Sequence, residues 1–170
     1  MRSAKICMLG DFAVGKTSTV VRFVKNEFSD KYLTTVGVKI DTKLVETPSG
    51  PLKLIIWDVA GTDQLGGIEF AYLRGSAGYI LVADGTRKTT VDNALRLKTD
   101  AAARYGAKPF VALLNKSDLS SQWEIEQDAI DTSRAAGVNW IECSAKFGTG
   151  VGRAIEALAA RLMEPDTEAT

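Results

Sequence analysis

Apolar positions along the chain recur with two different periods, and the changes of period mark out its elements. Residues Ala4 to Leu9 form a short apolar run ending in Gly10, and from Lys16 to Asn26 the positions Val20, Val21, Phe23 and Val24 recur at helical spacing. This predicts a strand, a glycine-bearing loop and a helix. Residues Val36 to Glu46 and Leu52 to Asp58 are β-branched and apolar, and Pro48, Ser49, Gly50 and Pro51 between them predict an antiparallel hairpin. Its second arm runs into a loop, Val59 to Gly67. Tyr79 to Asp84 and Pro109 to Asn115 read as buried strands, with Thr90 to Tyr105 as a right-handed helical crossover. A helix from Glu124 to Ala136, a short strand from Trp140 to Cys143 and a last helix from Val151 to Met163 complete the alternation. The expectation is an α/β fold: a six-stranded, mostly parallel sheet with one antiparallel strand and about five flanking helices. In open sheets of this kind ligands bind beyond the carboxyl ends of the strands, so the residues after strand ends carry the chemistry.

After the first strand stands Gly10-Asp11-Phe12-Ala13-Val14-Gly15-Lys16-Thr17, the spacing of a phosphate-binding loop, and it sits between a predicted strand and a predicted helix. Backbone amides from Ala13, Val14, Gly15, Lys16, Thr17 and Ser18 can converge on phosphate oxygens where unpaired amides and the helix dipole both favour an anion. Gly15 lets the backbone come close. Lys16 is expected to reach the β- and γ-phosphates as a point charge, and the Thr17 hydroxyl is a hard oxygen suited to magnesium. A glycine-capped turn before an ordinary helix is the bland alternative. The loop places the fold in the P-loop NTPase class.

A phosphate loop does not choose a base. Asn115-Lys116-Ser117-Asp118 follows the strand Phe110 to Leu114, and a carboxylate there can accept from both guanine N1 and the 2-amino group. Adenine offers no such pair of donors, so a buried Asp118 facing it would lose its partners at about 1 to 3 kcal/mol or more. Asn115 would tie the loops together, Lys116 would lay its aliphatic stem along the base, and Phe28 is a candidate to stack near the base or ribose. Ser144-Ala145-Lys146, after the strand ending at Cys143, can present a backbone amide to guanine O6. The Asp118 carboxylate speaks against an ATPase or kinase.

Composition narrows the chemistry further. Lysine plus arginine and aspartate plus glutamate are equal at 21 each, so no global charge steers the chain to nucleic acid or an anionic membrane. Histidine is absent, which removes the commonest general base and transition-metal ligand. Cys7 and Cys143, far apart within apolar stretches, read as reduced core thiols of a cytoplasmic protein. No apolar stretch approaches a membrane span, and the chain shows neither a signal-peptide region nor a lipid acceptor near either end, so no direct membrane anchor is expected. The acidic residues Glu124, Glu126, Asp128 and Asp131 suit the dipole at a helix start, and the glycines from Gly148 to Gly152 read as a loop and helix entry rather than a dinucleotide fingerprint.

Together the phosphate loop, Asn115-Lys116-Ser117-Asp118 and Ser144-Ala145-Lys146 resemble the Ras superfamily of small GTPases, over about Ala4 to Met163. The resemblance implies one guanine-nucleotide domain over 1–170, with 164–170 a short tail, GTP or GDP as bound nucleotide, and Mg2+ as cofactor. Tyr32-Leu33-Thr34-Thr35-Val36-Gly37 is similar to the first switch of the Rab branch, which implies that Thr35 binds magnesium and senses the γ-phosphate. Trp57-Asp58-Val59-Ala60-Gly61 is similar to the start of the second switch, which implies that Asp58 holds a magnesium-bound water and that the Gly61 amide meets the γ-phosphate. Metal ligation thus falls to Thr17, Thr35 and Asp58, and catalysis to Lys16, Thr35, Gly61 and Thr62. Effectors, exchange factors and GTPase-activating proteins would engage the switches. Ile40, Trp57 and Tyr72 occupy the positions of the branch's apolar effector patch: Ile40 and Tyr72 fit either core or surface, and Trp57 is expected at the surface.

Two positions depart from the family. The residue after Gly61, where relatives carry the catalytic glutamine, is Thr62, too short to orient an attacking water, so a slow intrinsic rate is expected. Asp63 and Gln64 are close enough in sequence to substitute. Phe12 stands where many relatives keep a small residue; it would either obstruct an activator's arginine or pack on the second switch. The expectation is a compact, stand-alone and prokaryotic member that hydrolyses GTP slowly. The alternative is a GTP-binding scaffold with negligible turnover until a partner supplies catalytic groups.

Overall fold

A computed structural model describes residues 1–28, 37–59 and 70–165 of the chain. Thr35, Gly61 and Thr62, with Asp63 and Gln64, lie outside the described residues.

Six strands form one sheet: β1 (Arg2–Gly10), β2 (Val38–Thr47), β3 (Gly50–Val59), β4 (Gly78–Asp84), β5 (Phe110–Asn115) and β6 (Trp140–Glu142), in the order β2-β3-β1-β4-β5-β6. β2 is antiparallel to β3, and the other neighbours are parallel. The helices are α1 (Lys16–Lys25), α2 (Lys88–Tyr105), α3 (Gln127–Ala135) and α4 (Val151–Met163), with 3₁₀ segments at Phe70–Leu73 and Ser117–Gln122. Among the described residues, this sheet and its flanking helices are consistent with the expected P-loop NTPase fold.

The apolar runs explain the layering. Every residue of β4 is buried, as a strand covered on both faces requires. Alternate side chains feed two cores. Ile6, Met8, Leu54, Ile56, Ile80, Val82 and Leu113 pack with Val20 and Phe23 of α1 and with Ile155 and Leu158 of α4. Cys7, Leu9, Tyr79, Leu81 and Ala112 face the other way, against Leu97 and Ala101 of α2. The hairpin turns where expected: Thr47 Oγ1 donates to the Gly50 carbonyl at 2.7 Å and accepts from Ser49 N at 3.2 Å.

Parallel pairing puts several strand ends side by side. Gly10 lies opposite Val82, Met8 opposite Asp58, and Asp84 opposite Asn115. The ends of β1, β3, β4 and β5 therefore share one edge of the sheet, and the loops leaving them meet there.

Some boundaries move. α3 starts at Gln127 rather than Glu124, because the preceding chain is tied down in a non-helical path: Glu124 N donates to the Gly85 carbonyl at 3.0 Å, and Glu126 is extended (φ −92°, ψ 160°). Glu124 instead accepts from the Lys88 amide at the start of α2. α2 begins two residues before Thr90, and β6 ends at Glu142 rather than Cys143.

Candidate functional site

Gly10 closes β1, and α1 opens at Lys16 with Gly15 as its N-cap at φ 99°, a left-handed backbone that suits glycine. No side chain caps this N-terminus and no acidic residue occupies its first turn. A helix start of this kind, glycine-capped and without a nearby carboxylate in its first turn, suits an anion through its amides and dipole. Ala13 is left-handed as well, at φ 58°. A Cβ at Gly15 would collide with Asn115 Nδ2, so the loop is packed against the β5 end as tightly as glycine allows.

Lys16 is only 7% exposed and its Nζ donates to the carbonyls of Gly10 and Asp11, each at 3.1 Å. Burial lowers its pKa to about 8, against the opposing pull of Asp58 and Asp11. A cation held at that cost within a loop of backbone amides is matched to a polyanion.

Thr17 Oγ1 donates to Asp58 Oδ2 at 2.5 Å. One hard oxygen comes from the helix start and the other from the end of β3, where Asp58 is buried. This donor set fits magnesium; Thr35, the third ligand expected, lies outside the described residues.

The base side is built on Asn115, 3% exposed at the end of β5. Its Nδ2 donates to the Val14 carbonyl at 3.0 Å, and its Oδ1 accepts from the Ala145 amide at 3.0 Å. The expectation that Asn115 ties the loops together describes these contacts. The Ala145 amide is thereby engaged with Asn115 rather than turned to a base. Asp118, in the 3₁₀ segment, is half-buried, and its Oδ1 accepts from Ser144 Oγ at 2.8 Å. Ser144 Oγ also accepts from Phe147 N at 3.1 Å, which fixes the hydroxyl's direction toward the carboxylate. Lys116 is left-handed (φ 71°) and sends its Nζ back to Asp84 Oδ2 at 2.7 Å and to the Ala13 carbonyl at 3.3 Å. Its stem thus bridges the two loops. Phe28 is half-buried just beyond α1, and Lys146 is exposed.

Several contributors escape sequence reasoning. Asp84 is fully buried at the end of β4 and binds Lys116, Arg87 Nε at 3.1 Å, Thr86 N at 2.8 Å and Thr86 Oγ1 at 2.6 Å. Burial works to raise its pKa, and the bonds from Lys116 and Thr86 more than offset this, holding the carboxyl below its usual range. Arg22 on α1 donates to the carbonyls of Ala145 at 2.8 Å and Lys146 at 2.5 Å. Trp123 Nε1 donates to the Lys116 carbonyl at 2.8 Å. Only the polar residue at each strand end hints at Asp84 in the sequence; the arginines have no local signal.

Of the proposed effector patch, Ile40 is 48% exposed and sits opposite Trp57 across the hairpin. Trp57 is half-buried rather than a surface residue, because the Tyr72 ring lies 6.3 Å away and the Lys5 ammonium covers it at 3.7 Å. Tyr72 is half-buried too. Phe12 is 47% exposed on the rim of the phosphate loop.

Among the described residues no helix is long and apolar enough to cross a membrane. The family model of the Ras family matches residues 5–164. The chain is 33% identical to the Ras-related protein Rab-13 of Canis lupus familiaris, over 91% of this chain and 77% of that protein. It is 33% identical to Rab-7L1 of Rattus norvegicus, over 96% and 84%, and 32% identical to RABA2d of Arabidopsis thaliana, over 93% and 74%.

Proposed function

The chain belongs to the Ras family and is a GTP-binding small GTPase switch, and from that premise we propose how its own residues run the cycle. Residues 1–170 act as one guanine-nucleotide domain in the cytoplasm, with 164–170 as a short tail. Amides of Ala13 to Ser18 and the Lys16 ammonium hold the phosphates, and Asp118 selects guanine over adenine. Lys146 and Phe28 border the base. Thr17, Thr35 and Asp58 hold Mg2+, which when bound neutralises phosphate charge. Water attacks the γ-phosphorus, the bond to the bridging oxygen breaks, and GDP and inorganic phosphate result. Lys16 and the loop amides stabilise the charge that shifts to the leaving oxygen. Thr35 and the Gly61 amide sense the γ-phosphate, and their release reports its loss to effectors.

The observation that carries this reading is Asn115, one buried amide bonded to the phosphate loop at Val14 and to the base loop at Ala145. It spaces a phosphate site from a base site, and a nucleotide is the ligand with both ends.

Thr62 sets the rate. Single-turnover hydrolysis of bound GTP with magnesium should be slow in the wild type and about tenfold or more faster in Thr62→Gln, while Lys16→Ala loses nucleotide affinity. A wild type as fast as Thr62→Gln would remove the slow-rate element, and displacement of labelled GDP by ATP would remove the guanine assignment. The exposed Phe12 ring favours a second reading, in which turnover waits for a partner. Tight GTP binding without hydrolysis in either protein would establish it.

A further inference from the structure

Resting on the nucleotide reading above, we propose that Arg87, set by the buried carboxylate of Asp84, is a positioning residue that holds the phosphate loop ready to bind before any nucleotide arrives. Three consecutive loop carbonyls are gripped by side chains from other strand ends. Phe12 O accepts from Arg87 Nη2 at 2.8 Å, Ala13 O from Lys116 Nζ at 3.3 Å, and Val14 O from Asn115 Nδ2 at 3.0 Å. No described peptide bond is cis, and in a planar trans peptide the N–H points opposite the C=O. The three grips therefore turn the N–H groups of Ala13, Val14 and Gly15 away from the gripping side chains. Successive amides presented in this way form a concave anion nest, and the left-handed φ of 58° at Ala13 and 99° at Gly15 fit one.

Two of the three grips depend on one group. Asp84 Oδ2 lies 2.7 Å from Lys116 Nζ and 3.1 Å from Arg87 Nε, while Oδ1 accepts from Thr86. Across β4 and β5, Asp84 is in register with Asn115, the third grip. Its carboxylate fixes where two long cationic side chains point, a restriction that would otherwise cost them rotamer entropy on binding. The Arg87 guanidinium bonds to Asp84 and to Phe12 of the phosphate loop, so its contribution belongs to the phosphate end of the ligand.

The test measures GDP and GMP affinities of wild type, Arg87→Ala and Asp84→Asn, with thermal melting as the check on folding. Arg87→Ala should weaken GDP roughly tenfold, as loss of a charge-assisted hydrogen bond does. GMP, which brings fewer phosphate oxygens to the nest, should be weakened much less. Asp84→Asn removes a negative charge yet should also weaken GDP, since the cations lose their anchor. Tighter GDP binding in Asp84→Asn would mean that Arg87 acts through net charge alone and would overturn the proposal. Equal losses for GDP and GMP in Arg87→Ala, or no loss, would overturn it even if Asp84→Asn failed to fold. A wild type that does not prefer GDP to GMP would instead refute the nucleotide reading itself.

Discussion

Lys16 is charged at neutral pH but close to losing its proton, because burial has brought its pKa down to about 8. A bound polyphosphate restores the preference for the charged form, so nucleotide binding should take up a proton once the free chain has lost one. The affinity for GDP should therefore be flat below pH 8 and fall above it, approaching about tenfold per pH unit. Titrating labelled GDP between pH 6.5 and 9 checks this, and a flat profile would mean that Lys16 keeps its charge in the free protein. The sign for stability is opposite. The folded pKa lies below the unfolded value of 10.5, so the unfolded chain binds more protons between about 8 and 10.5 and the nucleotide-free fold gains stability as pH rises through that window. On the base side, Asp118→Ala should lower GDP affinity about 10- to 100-fold and abolish the preference for GDP over its inosine counterpart, which lacks the 2-amino group. Equal discrimination before and after the substitution would show that Asp118 does not read the base.

At the scale of elements, helix α1 and its loop work as one piece. Ala13 holds a left-handed backbone that costs a side chain-bearing residue about 1 to 2 kcal/mol. Ala13→Gly relieves that strain and also loosens the unfolded chain, so the melting temperature should move little while GDP dissociates faster from the less rigid loop. A slower GDP off-rate in Ala13→Gly would contradict this. The loop motif, the base motif and the hairpin were legible in the sequence because each is written in neighbouring residues with fixed spacing. The start of α3 was not. Glu124 and Glu126 resemble an acidic first turn, but Glu124 is claimed by Gly85 and by the Lys88 amide, contacts that belong to the fold rather than to the local pattern. Trp57 was misplaced for a related reason: its cover comes from Lys5 on β1 and Tyr72 on the short 3₁₀ segment, neither adjacent in sequence.

At the scale of the whole molecule, the site is a property of the sheet's edge. Asp84 and Asn115 face each other only because β4 and β5 pair in that register, and Arg87 reaches Phe12 across 75 positions of chain. Periodicity reports which face a residue takes, not which strands become neighbours, so this layer of the site emerges only with the fold. Trp123 shows what the arrangement offers to an observer. Its indole N–H is bonded to the backbone of Lys116, inside the loop assigned to the base, while Trp57 precedes Asp58 at the end of β3. The chain thus carries native fluorophores beside two separate parts of its site, out of only three tryptophans. With Trp57 and Trp140 replaced by phenylalanine, emission from Trp123 should change as nucleotide arrives and leaves, a record free of any attached dye.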